Sequence, residues 1–165
     1  RSDQLVLGMI ARFSSQKNHL FALELVKVLK DRGANLKLLL VGDGELRNVI
    51  QDKVKELEIE KEVVMTGVVD DVYKYLQAID VVLMPSFNEG LPVSLVEAQA
   101  NGLPCVVSDR VPREADVTGN VDFLPLEVDV WADCLASKMK QGVARDADAV
   151  KREIEIGRAS CRERV

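Results

Sequence analysis

Short, almost continuously apolar runs alternate with longer amphipathic stretches along most of this chain. The apolar runs predict six β-strands, at residues 5–10, 36–41, 63–66, 81–84, 105–108 and 121–124. Strands that are apolar on both faces and are separated by helices are typical of a parallel sheet covered on both sides. Because their connections are right-handed, a doubly wound order is favoured. The sequence therefore predicts an α/β fold: a Rossmann-like, doubly wound parallel sheet of about six strands with helices on both faces.

The amphipathic stretches between the strands predict the helices. One apolar stripe indicates a helix over residues 18–32, and a second helix is expected over residues 45–57. Asp70 or Asp71 is expected to cap a short third helix, and Asp129 is expected to cap the last one.

The extent of this pattern indicates how the chain is organised. Residues 1–156 are predicted to form one domain, since a chain of 165 residues can bury a single substantial core. The chain opens at Arg1 and runs directly into the first strand, which indicates a domain of a longer protein. Residues 157–165 have no apolar period and are expected to be a disordered or non-native tail.

Charge and cysteine content exclude several classes of function. The formal net charge is −5 and the pI is about 5.0, so neither a broad basic face nor a nucleic-acid partner is expected. No apolar run is long enough to span a bilayer, and no segment resembles a signal peptide. Cys105, Cys134 and Cys161 are odd in number and lack a Cys-x-x-Cys pair, which argues against disulfides and structural zinc and favours a reducing cytoplasm.

Two loops are expected to meet at one edge of the sheet. In the strand order 3-2-1-4-5-6, the commonest for such folds, the first and fourth strands are neighbours at the point where ligands bind. The loop after the first strand carries Arg12 and Lys17, and the loop after the fourth carries Glu89. The two cations would neutralise a diphosphate and, in a bond-breaking step, would stabilise the departing phosphate. Two solvated loop cations are the alternative interpretation.

The segment from Phe87 to Ala98 runs from a glycine-containing loop into a helix and carries two glutamates. A helix start directs free backbone N–H groups at an anion. Glu97 lies about five residues past Pro92, or roughly 7–8 Å along the axis at ~1.5 Å per residue, which suits the ribose of a nucleotide whose diphosphate lies at the helix start. Glu89 in the loop can meet a polar group beyond the diphosphate. Two solvated glutamates around an ordinary helix cap are the alternative.

Other polar or flexible residues are expected to play smaller parts. Gly67 and Val68 end the third strand near the same edge and could offer backbone groups to a base. His19, the only histidine, is expected on the surface, so no histidine metal cluster is predicted. Asp146 and Asp148 have the spacing of a metal–diphosphate pair, but a solvated stretch is the favoured interpretation. The loop after the first strand has neither a nucleoside-triphosphate P-loop nor a Gly-x-Gly-x-x-Gly pattern, so neither a nucleoside-triphosphate site nor a dinucleotide cofactor is expected.

Three stretches taken together are similar to one protein family. They are residues 12–18 after the first strand, residues 41–46 after the second, and residues 89–98 with their Glu-x₇-Glu spacing. In this setting, residues 5–140 resemble the C-terminal, donor-binding half of a family-four (group 1) glycosyltransferase of the GT-B fold. The resemblance implies retaining transfer of a sugar from a nucleoside-diphosphate donor, expected to be a UDP-sugar, to a saccharide or lipid-linked acceptor without a metal.

The resemblance also implies a role for each matching residue. Arg12, Lys17 and Glu89 would be the catalytic residues: the two cations would hold the diphosphate and promote departure of the nucleotide, and Glu89 would contact the donor sugar. Further contacts to the donor are implied for Gly67, Val68, Gly90 and Leu91 through their backbones, and for Glu97 on the ribose hydroxyls. Pro92 departs from the family pattern, in which many relatives have a small residue such as glycine, and proline has no N–H to offer a ligand at that position.

The same resemblance implies partners beyond the donor. In this family the acceptor site lies in an N-terminal domain, which is missing here, so the chain alone is expected to bind donor weakly and to transfer little sugar. The full-length protein is expected in the cytoplasm, with peripheral association at the inner membrane face. A nucleotide-sugar epimerase of the same architecture, a non-catalytic nucleotide-sugar-binding module and a flavodoxin-like signalling module remain open as alternatives.

Overall fold

The computed structural model describes residues 3–146, 148 and 151, so the expected tail at residues 157–165 lies outside the described residues. A six-stranded sheet forms the centre of the described part, and its neighbouring strands all pair in parallel. The strands are β1 (Leu5–Ile10), β2 (Leu36–Val41), β3 (Val63–Gly67), β4 (Val81–Met84), β5 (Cys105–Ser108) and β6 (Val121–Leu124). Their order is β3-β2-β1-β4-β5-β6, which confirms the doubly wound topology and the strand order expected from the sequence.

Five α-helices connect or follow these strands in the described residues. They are α1 (His19–Asp31), α2 (Arg47–Glu56), α3 (Val72–Ala78), α4 (Val93–Ala100) and α5 (Val128–Gln141). Asp71 precedes α3 as expected, but the prediction for Asp129 is wrong: Glu127 precedes α5, and Asp129 lies within its first turn. The Asp129 carboxylate in the first turn still interacts favourably with the helix dipole. The residue therefore marks the start of α5, although it does not precede the helix. None of the helices in the described part is both long and apolar enough to cross a bilayer.

Two hydrophobic cores lie on opposite faces of the sheet. Along β1, Leu5, Leu7 and Met9 belong to one core, whereas Val6 and Ile10 pack against the other, as the two-residue period of a strand requires. The first core also contains residues of α1, α2 and α5, and the second contains residues of α3 and α4. This arrangement confirms the prediction of helices on both faces.

The carboxyl ends of β1 and β4 lie side by side, because Leu7 and Gly8 pair with Val81 and Val82. The chain leaves β1 through a short 3₁₀ turn (Ser15–Lys17) before α1, and it leaves β4 through a loop that enters α4. Both loops therefore emerge at the same edge of the sheet, as expected for neighbouring parallel strands.

Candidate functional site

The loops that follow β1 and β4 are joined by two hydrogen bonds. The backbone N–H of Phe87 donates to the carbonyl of Gln16 at 2.9 Å, and the side-chain amide of Gln16 donates to the carbonyl of Asn88 at 2.6 Å. The 3₁₀ turn after β1 is therefore attached to the loop after β4. Gln16 was not singled out from the sequence, because nothing in its neighbours along the chain indicates this distant partner.

Lys17 and Glu89 form an ion pair at the junction of these loops. Lys17 Nζ lies 2.6 Å from Glu89 Oε1, although the two residues are 72 positions apart in the chain. The Glu89 side chain is only 6% exposed and that of Lys17 is 24% exposed, so water screens this pair far less than a surface pair. The meeting of the Lys17 loop and the Glu89 loop, which the strand order predicted, is confirmed.

Ser86 is a second partner of Glu89 that sequence reasoning missed. Its hydroxyl donates to Glu89 Oε1 at 2.8 Å, and the residue is almost completely buried. The available signal was a small hydroxyl residue directly after the Pro85 that follows β4, in the same loop as Glu89. A serine in a loop has many structural uses, so this signal did not identify Ser86 as a site residue.

Arg12 has a different partner from Lys17. Its guanidinium pairs with Glu45, with an N–O separation of 3.3 Å, and both side chains are largely exposed. Phe13 holds this part of the loop, since its N–H donates to the Asp43 carbonyl at 2.9 Å and its own carbonyl accepts from Leu46 N–H at 3.1 Å. In the described structure, Lys17 alone of the expected cationic pair contacts Glu89.

The start of α4 carries the other residues expected to bind a donor. Glu97 lies on α4, which Pro92 precedes, and its carboxylate is exposed with no hydrogen bond to the described residues. Gly90 and Leu91 are also exposed, Leu91 to 74%. These residues share the sheet edge with Glu89, and their exposure makes them accessible to a ligand.

The end of β3 has a bent backbone and one exposed side chain. Gly67 has a φ of 76°, and its carbonyl accepts hydrogen bonds from the Gly42 N–H at 3.1 Å and the Thr66 hydroxyl at 2.9 Å. Val68 follows with 82% of its surface exposed. The Gly67 carbonyl is therefore already used within the protein, and the accessible part of this pair is Val68.

His19 is buried, so the expectation of a surface histidine is wrong. It is 1% exposed and packs edge-on against Phe13, with 4.8 Å between ring centroids. Neither ring nitrogen has a hydrogen-bond partner in the described structure. Burial, reinforced by the nearby charge of Lys17, lowers the pKa of His19 to about 4. The ring is therefore neutral near pH 7 and shielded from ligands.

A cluster of metal ligands and a cavity are two other features that could mark a functional site. Within the described residues, no cluster of three or more His, Cys, Asp or Glu side chains could hold a metal ion. A cavity of about 440 Å³ lies at the opposite, amino end of the strands, where Gln4, Val6, Gln77 and Asp80 help to line it. Ligands of doubly wound folds bind at the carboxyl ends of strands, so the Lys17–Glu89 edge is the candidate site.

Known proteins resemble this chain in sequence and in fold. The family model described as glycosyl transferases group 1 matches residues 1–124. EpsF of Bacillus subtilis (strain 168), which carries a glycosyltransferase name, is 40% identical over 144 residues, covering 86% of this chain and 38% of that protein. The UDP-Gal:alpha-D-GlcNAc-diphosphoundecaprenol alpha-1,3-galactosyltransferase of Escherichia coli is 33% identical over 131 residues, covering 78% of this chain and 34% of that protein.

A solved structure shows the same fold. The apo form of the lipopolysaccharide outer core galactosyltransferase WaaB superposes with a TM-score of 0.78 at 23% identity, covering 91% of this chain and 44% of that one. The chain thus spans less than half the length of each of these proteins. Family match, sequence identity and fold agree, and the chain belongs to the group 1 glycosyltransferases, which have the GT-B fold.

Proposed function

We propose that this chain is the donor-binding half of a retaining glycosyltransferase that moves a sugar from a UDP-sugar to a saccharide or lipid-linked acceptor. The observation that carries the proposal is the contact of Lys17 with Glu89 at the ligand-binding edge of the sheet. At that edge, a cation suited to bind a diphosphate and a carboxylate suited to bind sugar hydroxyls are hydrogen-bonded to each other.

Lys17 is suited to the leaving group. An ammonium has three N–H donors, and only the one directed to Glu89 is used among the described residues. The remaining donors serve a phosphate oxygen, and Arg12 adds its planar fork when a phosphate replaces Glu45 as its partner. As the bond from the anomeric carbon to the diphosphate oxygen breaks, the electron pair stays on the diphosphate, and both cations stabilise the growing negative charge.

The acceptor completes the reaction. Its hydroxyl oxygen forms the new bond to the anomeric carbon on the face that the diphosphate leaves, which retains the configuration of the sugar. Its proton passes to the departing diphosphate, so that the products are the glycoside and the nucleoside diphosphate. No protein nucleophile and no metal take part in this scheme.

The remaining proposed contacts to the donor run along the edge of the sheet. Glu89 accepts a hydrogen bond from a hydroxyl of the donor sugar, and Glu97 accepts from the ribose. The backbone amides of Gly90 and Leu91 contact phosphate or sugar, and the base lies against the backbone at Gly67 and Val68. Glu97, Gly90, Leu91 and Val68 are exposed, which supports this path for the donor.

The relatives support the choice of donor and acceptor class. The name of the Escherichia coli relative specifies UDP-galactose as donor and a diphosphoundecaprenol-linked sugar as acceptor. By analogy we propose a UDP-sugar donor for this chain and an acceptor bound by a separate N-terminal domain of a longer protein. A position in the cytoplasm at the inner face of a membrane follows from a lipid-linked acceptor and belongs to the same proposal.

Titration calorimetry with UDP and with uridine tests the diphosphate site. We expect Lys17→Ala to weaken UDP binding about 10- to 100-fold, the loss expected for a charge-assisted hydrogen bond, and to leave uridine binding unchanged. Arg12→Ala is expected to act in the same direction. Lys27→Ala is the matched control, because Lys27 is a lysine of α1 whose partner is the exposed Asp31.

Two results would contradict the proposed function. One is an equal loss of UDP and uridine affinity in Lys17→Ala, because the lysine would then act on the fold and not on the diphosphate. The other is wild-type protein that binds neither UDP nor GDP, which would favour a signalling module. Binding is expected to persist in EDTA, and transfer to an acceptor by the longer protein distinguishes the transferase from a non-catalytic binding module or an epimerase.

A further inference from the structure

The two oxygens of the Glu89 carboxylate lie in different environments. Oε1 accepts hydrogen bonds from Lys17 Nζ at 2.6 Å and from Ser86 Oγ at 2.8 Å. Oε2 accepts none from the described residues, and it is not among the polar atoms sealed from solvent. One oxygen is therefore held by two donors within the protein, whereas the other has solvent contact and no protein partner among the described residues.

Ser86 is fixed to the sheet itself. It is 1% exposed, and its carbonyl accepts a hydrogen bond from Ser108 Oγ at 2.5 Å. Ser108 is the last residue of β5 and is fully buried. Because β4 and β5 are paired strands, this bond ties the Ser86 backbone to the neighbouring strand end. The hydroxyl that holds Glu89 thus belongs to a buried residue whose backbone is anchored to the sheet.

Lys17 and Ser86, the two donors to Glu89, differ in exposure and charge. Lys17 comes from the other loop, its side chain is partly exposed, and its charge is attracted to any diphosphate that enters the site. The Ser86 hydroxyl is neutral and buried, so a bound nucleotide exerts no comparable pull on it. When the nucleotide binds, Ser86 is the partner that keeps Oε1 in place.

We propose that Ser86 is a positioning residue for the donor sugar. By holding Oε1, it directs Oε2 of Glu89 toward a hydroxyl of that sugar, while Lys17 serves the diphosphate. The proposal rests on the proposed function of the site and adds that Lys17 and Ser86 have different roles in it. Nucleotide affinity depends on Lys17, and discrimination between a nucleotide and its sugar conjugate depends on Ser86 acting through Glu89.

A double-mutant cycle tests these different roles. UDP and UDP-galactose are titrated into the wild type, Ser86→Ala, Glu89→Ala and the double variant, with Ser137→Ala as an exposed serine control on α5. We expect Ser86→Ala to bind UDP-galactose about tenfold more weakly and UDP equally well, which corresponds to the loss of one hydrogen bond to a charged group. In the Glu89→Ala background, the same substitution is expected to change neither affinity, because no carboxylate is left for Ser86 to hold.

Several results would overturn the role of Ser86. They are an equal loss for both ligands, an unchanged ratio of the two affinities, or the same loss with and without Glu89. If Ser86→Ala does not fold, Ser86→Thr keeps the hydroxyl and is expected to keep the wild-type ratio, so a tenfold change in that variant would count against the proposal. Wild-type protein that binds neither ligand contradicts the function of the site, and the positioning role with it.

A structural measurement separates the two failures. In a crystal structure of Ser86→Ala with UDP bound, we expect the Glu89 side chain to occupy more than one rotamer, because Lys17 then faces the diphosphate and the neutral donor of Oε1 is gone. A single carboxylate position that matches the wild type would overturn the positioning role even if UDP binds.

Discussion

Lys17 and His19 lie two residues apart but meet opposite environments. Lys17 forms an ion pair with Glu89, whereas the His19 ring is buried against Phe13 with no partner for either nitrogen in the described structure. Both follow from the tight turn after β1, which directs one side chain to the ligand edge and packs the next helical residue under Phe13. The positive charge near His19 also disfavours a second charge there.

This burial predicts that stability falls in mild acid. Below a pH of about 6.5 the unfolded chain binds a proton at His19, whereas the folded chain does not until pH falls to about 4. Protonation therefore favours the unfolded state across that window, and His19 contributes a loss of roughly 3 kcal/mol by pH 4. Urea unfolding of the wild type and His19→Leu at several pH values measures the loss.

The difference in the free energy of unfolding between the wild type and His19→Leu reports the histidine alone, because the carboxylates that also titrate in acid are the same in both proteins. We expect this difference to be constant above pH 7, where both side chains are neutral, and to shift in favour of His19→Leu between pH 6.5 and 4. A difference that does not vary with pH would show that the ring is protonated equally in both states.

At the scale of elements, the loops after β1 and β2 are joined at a close backbone approach. Gly42 has a φ of 140°, and a Cβ atom at this position would lie 2.2 Å from the Ala11 carbonyl oxygen. The Gly42 N–H also donates to the Gly67 carbonyl, so three strand ends converge on this residue. Glycine is required here for both its backbone conformation and its lack of a side chain.

Gly42→Ala is therefore expected to destabilise the protein strongly. The backbone conformation costs about 1–3 kcal/mol for a residue with a Cβ, and the contact with a backbone oxygen adds about 1–3 kcal/mol of overpacking. Gly33→Ala is the matched control, since Gly33 also has positive φ, at 84°, but a Cβ there meets nothing within 4 Å. Chemical unfolding of both variants measures the difference, and equal losses would refute a steric role for Gly42.

At the scale of the whole molecule, α1 and α5 pack together on one face of the sheet. Phe21 on α1 lies edge-on to Trp131 on α5 with ring centroids 5.0 Å apart, and both side chains are buried. Trp131 also donates from Nε1 to the Pro125 carbonyl at 2.7 Å. This contact joins the beginning of the chain to its last described helix in one core.

Phe21→Ala is expected to reduce the free energy of unfolding by about 3–5 kcal/mol, as for other buried aromatic side chains replaced by alanine. Trp131 is the only tryptophan, so its fluorescence reports the transition directly. Tyr73→Ala is the control, because Tyr73 is 60% exposed and its loss is expected to change stability by less than about 0.5 kcal/mol. Equal changes in the two variants would mean that α1 and α5 do not share a core.

Much of the fold was predictable because parallel sheets follow strong rules. Continuous apolar runs with helical connections indicated a doubly wound sheet, and its usual strand order placed residues 17 and 89 at one edge. The prediction held for Lys17 and Glu89 because backbone topology alone brings their loops together. It did not extend to Arg12, whose partner is set by how Phe13 packs against the loop after β2.

The sequence by itself indicated the fold class and the family of the protein, since both depend on residue types at local spacings. The strand order was predicted only as the commonest one for that fold, and the structure confirmed it. Only the tertiary structure decided which side chains share a hydrogen bond: Ser86 with Glu89, Arg12 with Glu45, and no partner for His19 in the described part. These choices depend on distances of a few ångströms between segments far apart in the chain. Local periodicity carries no information at that precision, because close packing selects partners only after the sheet has formed.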